Sequence, residues 1–172
     1  MVFIEFIKDM LSYIIVIAII ILIRIFLIST VEVVGESMEP NFTAGEMLLA
    51  DQLIYKYKDL DRFDIIIFKH ESPTYLIKRV IGLPGETVSY IDNQLYINNE
   101  KVKEDFKTYG PTENFSLENL NYEVIPKDMY FVIGDNRSNS LDSRSIGLIS
   151  KNKITGKPFL RVWPLKELKT VK

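Results

Sequence analysis

The 172-residue chain has room for one modest domain once a membrane segment is set aside, and not for a second. Its 21 Lys and Arg against 23 Asp and Glu leave a net charge of -2, which excludes the basic field that non-specific nucleic-acid binding requires. Cysteine is absent and His70 is the single histidine, so disulfides, thiolate zinc sites, a cysteine nucleophile and a multi-histidine metal centre are excluded.

Residues 11–28 are dominated by Ile, Leu, Val and Phe, with Arg24 the one charge, and approach the roughly 20 apolar residues that cross a bilayer. They read as one transmembrane helix. A buried core helix would keep a polar face, and a cleaved export signal would end in small residues, whereas Ser29, Thr30 and Val31 follow here. Arg24 lies near the C-terminal end, where a long basic side chain snorkels to the interface. Lys8 precedes the span and no Lys or Arg occurs between Ser29 and Tyr55, so the positive-inside bias predicts a cytoplasmic N-terminus. The expected organisation is a short tail and anchor over residues 1–30 and an extracytoplasmic domain over 31–172, held at the cell membrane.

Beyond the span, short apolar runs alternate with turn residues, the pattern of a β-rich, largely antiparallel domain. Strands are expected at 31–34, 47–50, 65–68, 75–81, 87–91, 95–97, 130–133 and 159–162, with Asp92 and Asn93 as a hairpin turn. The fold class is therefore mainly β behind one N-terminal transmembrane helix. Residues 103–127, polar and holding Gly110, Pro111 and Pro126, read as an insertion that leaves the sheet and adds nothing to the core. Apolar residues around Phe42, soon after the membrane exit, are expected to touch lipid.

Three segments cluster residues that a plain β-domain does not require. In Gly35-Glu36-Ser37-Met38-Glu39-Pro40, a flexible glycine and a stiff proline flank Ser37, so its hydroxyl could be presented on a constrained loop. Alone, this is also an ordinary turn. On the second segment, a strand, Lys78 shares a face with Leu76 and Val80 while Arg79 shares the other with Ile77 and Ile81. Apolar neighbours disfavour the ammonium and can make a lysine a general base near neutral pH. An edge-strand lysine that discourages aggregation has the same pattern. The third segment runs from Gly134 through Asp135, Asn136 and Arg137 to Arg144. In extended conformation Ser140, Asp142 and Arg144 would point the same way, so that Ser140 could bond an amine while Asp142 pairs with Arg144.

Ser37-Met38-Glu39-Pro40, Lys78-Arg79 and Gly134-Asp135-Asn136-Arg137, in this order after an apolar span, resemble the motifs of the bacterial type I signal peptidases. The resemblance runs from the span to about Gly147. It implies a β-rich catalytic core beside the membrane, with Ser37 as nucleophile and Lys78 as its base. Ser140 would orient the Lys78 amine, Asp142 and Arg144 would brace the site, and Met38 would form part of the substrate pocket wall. The substrates implied are exported preproteins with small side chains at -3 and -1 of the cut, and no cofactor or metal is called for. The short 103–127 insertion is similar to the compact Gram-positive members. Chemically, neutral Lys78 would take the Ser37 proton, Ser37 would attack the scissile carbonyl, and the ammonium would protonate the leaving amine before water hydrolyses the acyl-enzyme. His70 is not needed for this. The Ser37 N–H is one candidate oxyanion donor; some relatives carry a serine two residues earlier as the second, where this chain has Gly35.

Three other readings stay open from sequence. A peptidase specialised for pilin or one surface protein is one, and a non-catalytic membrane-anchored binding module of the same fold is another. The Ser-Lys self-cleaving repressors share the fold, but would carry a DNA-binding helix pair in place of the apolar N-terminus.

Overall fold

A computed structural model describes residues 2–53, 57–71 and 73–171, with the side chains of residues 2–5 and 23–26, Arg24 among them, outside the description. Helix α1 (Val2–Phe26) leads the chain, and its described side chains are exposed throughout. Taken over the described residues, no helix is long and apolar enough to cross a membrane. After Leu27 the chain turns directly into strand β1 (Ile28–Glu32), a start earlier than the sequence predicts; Ile28 already pairs with Asp51.

The strands that follow are β2 (Met47–Asp51), β3 (Ile65–Lys69), β4 (Tyr75–Gly82), β5 (Val88–Ile91), β6 (Gln94–Ile97), β7 (Glu100–Val102) and β8 (Phe115–Ser116). Then come β9 (Met129–Ile133), β10 (Ile149–Ser150), β11 (Ile154–Trp163) and β12 (Lys169–Thr170). The larger sheet has the order β1-β2-β11-β3-β4-β9-β10, with β12 added to β11, and the smaller has the order β7-β6-β5-β8. Every strand pair is antiparallel. Asp92 and Asn93, at φ of 49° and 63°, turn β5 into β6, the left-handed pair that a tight hairpin demands.

β4 and β9 are central and buried on both faces. Ile81, Phe131 and Ile133 face a core shared with Val88, Tyr90 and Leu95 of the small sheet, while Val80, Tyr130 and Val132 face one with Ile66 and Phe68. Lys78 therefore stands on an interior strand between β3 and β9, which removes the edge-lysine reading.

Two expectations are corrected. Residues 103–127 do contribute core: β8 pairs with β5, and Leu117 and Ile125 are buried with Tyr90 and Phe131. Their apolar residues are spaced too irregularly to show either structural period. Phe42 does not reach toward lipid; it is 3% exposed and packs with Val33, Met38, Leu48 and Ile65 under the loop that carries Ser37.

Candidate active site

Ser37 sits on the loop between β1 and β2. At its base, Val33 donates its N–H to the Glu46 carbonyl at 2.8 Å and accepts from Gly45 N–H at 2.9 Å. Gly35 takes φ +84°, a conformation that a side chain at this position would strain. Glu39 N–H donates to the Glu36 carbonyl at 3.0 Å and Phe42 N–H to the Met38 carbonyl at 2.9 Å, folding the segment tightly; the Glu39–Pro40 peptide is cis. Met38 and Phe42 anchor it from below. Met38 is 1% exposed, so it forms the floor of the loop and no wall of an open groove.

Lys78 projects from β4 to this loop. Its Nζ donates to Ser37 Oγ at 2.6 Å and to the Ile77 carbonyl at 2.9 Å, and the residue is 1% exposed. Burial brings the ammonium down from 10.5 to about 8, against the opposing pull of the Asp142 and Asp135 carboxylates. The loss of hydration exceeds the gain from two carboxylates that make no direct ion pair with it. A hydroxyl and a partly neutral amine thus lie within hydrogen-bonding distance in a nearly dry setting.

The loop after β9 closes the site. Asn136 donates its backbone N–H to the Ser37 carbonyl at 3.0 Å and its Nδ2 to the Glu36 carbonyl at 3.2 Å. Gly134 permits the approach: a Cβ there would lie 2.5 Å from the Ser37 carbonyl oxygen and would collide with Ser140 Oγ. Asp142 caps the short helix Ser143–Ile146 and accepts from Gly134 N–H at 3.0 Å. Arg144 pairs with it through Nε at 2.9 Å and Nη2 at 2.8 Å. Burial raises the Asp142 carboxyl, but the Arg144 bonds and charge outweigh that and hold it below the usual range. The pairing arises from the helix cap and not from an extended segment.

Ser140 does not join Lys78 by a hydrogen bond. Its Oγ is buried without a bond of good geometry, although it lies near enough to help keep Asp142 acidic. His70 lies in the β3–β4 turn, where its N–H donates to the Thr74 carbonyl at 3.1 Å.

Sequence reasoning gave no role to the groups that tie these loops together. Arg79, 4% exposed, holds Asp135 through Nε at 2.9 Å and Nη2 at 2.7 Å, and Asp135 also accepts from Asn41 Nδ2 at 2.7 Å. A charged residue sharing an apolar face with Ile77 and Ile81 was the available signal, since it demands a buried counterion. Arg137 binds Glu104 at 2.6 Å and Thr112 at 2.6 Å, both from the supposed excursion, and Tyr109 flanks Asp135 and Arg137 through backbone bonds.

The family profile described as "Signal peptidase, peptidase S26" matches residues 4–163. Signal peptidase I V of Bacillus subtilis is 43% identical over 134 residues, covering 73% of this chain and 80% of its own. Signal peptidase IB of Staphylococcus aureus is 35% identical over 179 residues, covering 94% of each chain. The crystal structure of a signal peptidase I from Enterococcus faecalis superposes with a TM-score of 0.51 at 40% identity, covering 58% of this chain and 97% of that one. With its profile match extending from α1 to the end of β11, the chain belongs to the signal peptidase family, peptidase S26.

Proposed function

We propose that the protein is a membrane-anchored serine endopeptidase that removes signal peptides from exported preproteins, with Ser37 as nucleophile and Lys78 as general base. The 2.6 Å contact between Lys78 Nζ and Ser37 Oγ, at a lysine brought down to about 8 by burial, carries this reading. At pH 7 such a lysine is neutral in roughly a tenth of molecules, and a bound peptide that excludes more water increases that share. The neutral amine accepts the Ser37 proton as Oγ attacks the carbonyl carbon. The resulting ammonium then protonates the departing amine, leaving an ester on Ser37 for water to hydrolyse. Asp142 with Arg144 holds Gly134 and through it the approach to Ser37, and Ser140 stands beside that contact.

A groove of about 680 Å³ runs beside edge strand β1, lined by Val31, Glu32, Val34, Ile67 and Tyr75. It suits an extended peptide laid along β1, with its scissile bond brought to Ser37 and small side chains fitting where the strand and loop converge. The apolar run of residues 11–28, read from the sequence as a span, serves as the anchor within residues 1–30. The domain of residues 31–172 then lies on the extracytoplasmic side, where exported substrates emerge. The test is incubation of the detergent-solubilised protein with a preprotein bearing an Ala-x-Ala junction. Cleavage after the second Ala by wild type, lost in Ser37→Ala and Lys78→Ala, supports the reading, and cleavage by Ser37→Ala refutes it.

A further inference from the structure

The chain beyond β11 turns back on the site. After the turn Leu165–Glu167, β12 pairs Thr170 with Leu160 and Lys169 with Arg161, and Val171 N–H donates to the Phe159 carbonyl at 2.9 Å. Val171 thereby packs against the cluster of Val33, Met38, Phe42, Leu48 and Ile65, the apolar floor of the Ser37 loop. Arg161 acts on the same loop. Its Nη2 donates to the Asn41 carbonyl at 2.7 Å and its guanidinium lies 5.2 Å from the Phe42 ring centroid. Its Nη1 donates to Glu46 at 2.8 Å and to Glu167 at 3.0 Å, the first within the β1–β2 loop and the second in the returning tail.

Asn41 is the common point, because its side chain is also bound to Asp135. The loop is thus held by Asp135 and Asn136 from the segment after β9, and by Arg161 and Val171 from β11 and the segment after it. A cavity of about 340 Å³ between loop and tail, bordered by Asn41, Phe42, Arg161, Thr170 and Val171, leaves the loop room to shift if the tail lets go.

Resting on Ser37 as nucleophile, we propose that Arg161 and Val171 are positioning residues: the returning tail braces the loop residues 35–42 so that Ser37 Oγ stays on Lys78. Neither touches the reacting atoms. Loss of the brace therefore lowers turnover more than substrate affinity, since misplacement by a fraction of an ångström penalises the step that needs alignment.

The test uses the full chain in detergent, with Val171→Gly and with the paired Glu46→Gln, Arg161→Gln, which removes both charges and leaves no buried carboxylate unpaired. Kinetics on the Ala-x-Ala preprotein, melting temperature and hydrogen exchange at the Asn41 and Phe42 amides are measured together. At an essentially unchanged melting temperature, kcat is expected to fall about tenfold with KM within about twofold. Exchange at the two amides rises while that of β9 does not, and Glu46→Gln alone, which keeps the guanidinium on Asn41, recovers most of kcat. Unchanged kcat and exchange in both variants, or a kcat loss that only tracks unfolding, overturns the brace. Exchange reports on the loop whether or not Ser37 is the nucleophile, so a wild type that does not cleave would sink the peptidase reading without being mistaken for failure of the brace.

Discussion

The backbone N–H of Asn136 donates to the carbonyl of Ser37 at 3.0 Å, joining the loop after β9 to the loop after β1 across 99 residues of chain. This bond fixes the peptide plane beside the proposed nucleophile. It exists because Gly134 and Asn136 follow a strand, buried from Tyr130 to Ile133, that also pairs with β4, the strand of Lys78. One sheet thus sets both partners of the 2.6 Å contact.

Gly134→Ala tests this arrangement. Its Cβ would lie 2.5 Å from the Ser37 carbonyl oxygen, so the loop must move away from Lys78. Cleavage should fall by about 10²-fold in kcat, as misplacement near 1 Å does, with a smaller change in KM. Steady-state kinetics on purified protein read the outcome.

Activity should rise with pH through about 8 as Lys78 loses its proton. The acid limb of kcat/KM is expected to have unit slope, reporting one group. Asp142, held low by Arg144, stays charged across this range and contributes nothing to the limb. A profile of kcat/KM from pH 6 to pH 10 checks this.

Lys78→Met should be more stable than wild type at neutral pH. An unfolded lysine keeps its proton to 10.5 and the folded one releases it near 8, so between these values the unfolded state binds more protons and stability rises with pH. Below about 8 the full cost of the buried ammonium, about 3 kcal/mol, weighs on the native state. Losing the bond to the Ile77 carbonyl offsets part, leaving a gain of about 2 kcal/mol at pH 7 that shrinks above pH 8. Urea unfolding at pH 7 and pH 10 measures both.

Much of this was legible in the sequence. Ser37 on a Gly-Pro-flanked loop and Lys78 on a strand with apolar neighbours share their local patterns with an ordinary turn and an edge-strand lysine; the resemblance to the type I signal peptidases singles them out as a pair, and the structure brings them together. The order of apolar runs gave most strands of the larger sheet and, in the smaller, β5 and β6. β11 was seen only in part, because Gly156 and Pro158 interrupt a strand that pairs first with β3 and then, past a bulge, with β2. Residues 103–127 were misjudged because Phe115, Leu117 and Ile125 keep no regular period, and their burial depends on a sheet that local sequence does not reveal. The apolar face that Arg79 shares with Ile77 and Ile81 signals a buried counterion, but its identity as Asp135, like the Arg161–Glu46 pair, depends on contacts between segments far apart in the chain.

Asp135→Ala should be strongly destabilising. It leaves the Arg79 guanidinium buried with part of its charge unanswered and removes one of the two acceptors of Asn41 Nδ2, a loss of about 3–5 kcal/mol for a broken buried pair. Replacing both residues by apolar ones should cost less. Chemical denaturation of the single and double variants distinguishes the two.

The most direct measurement of the Ser37–Lys78 account is to acid-quench the enzyme during turnover of an ester substrate and map the acyl adduct by peptide mass spectrometry. The account predicts an adduct on the peptide containing Ser37 in wild type and none in Lys78→Ala. An adduct on another residue, or equal acylation of Ser37 without Lys78, would contradict it.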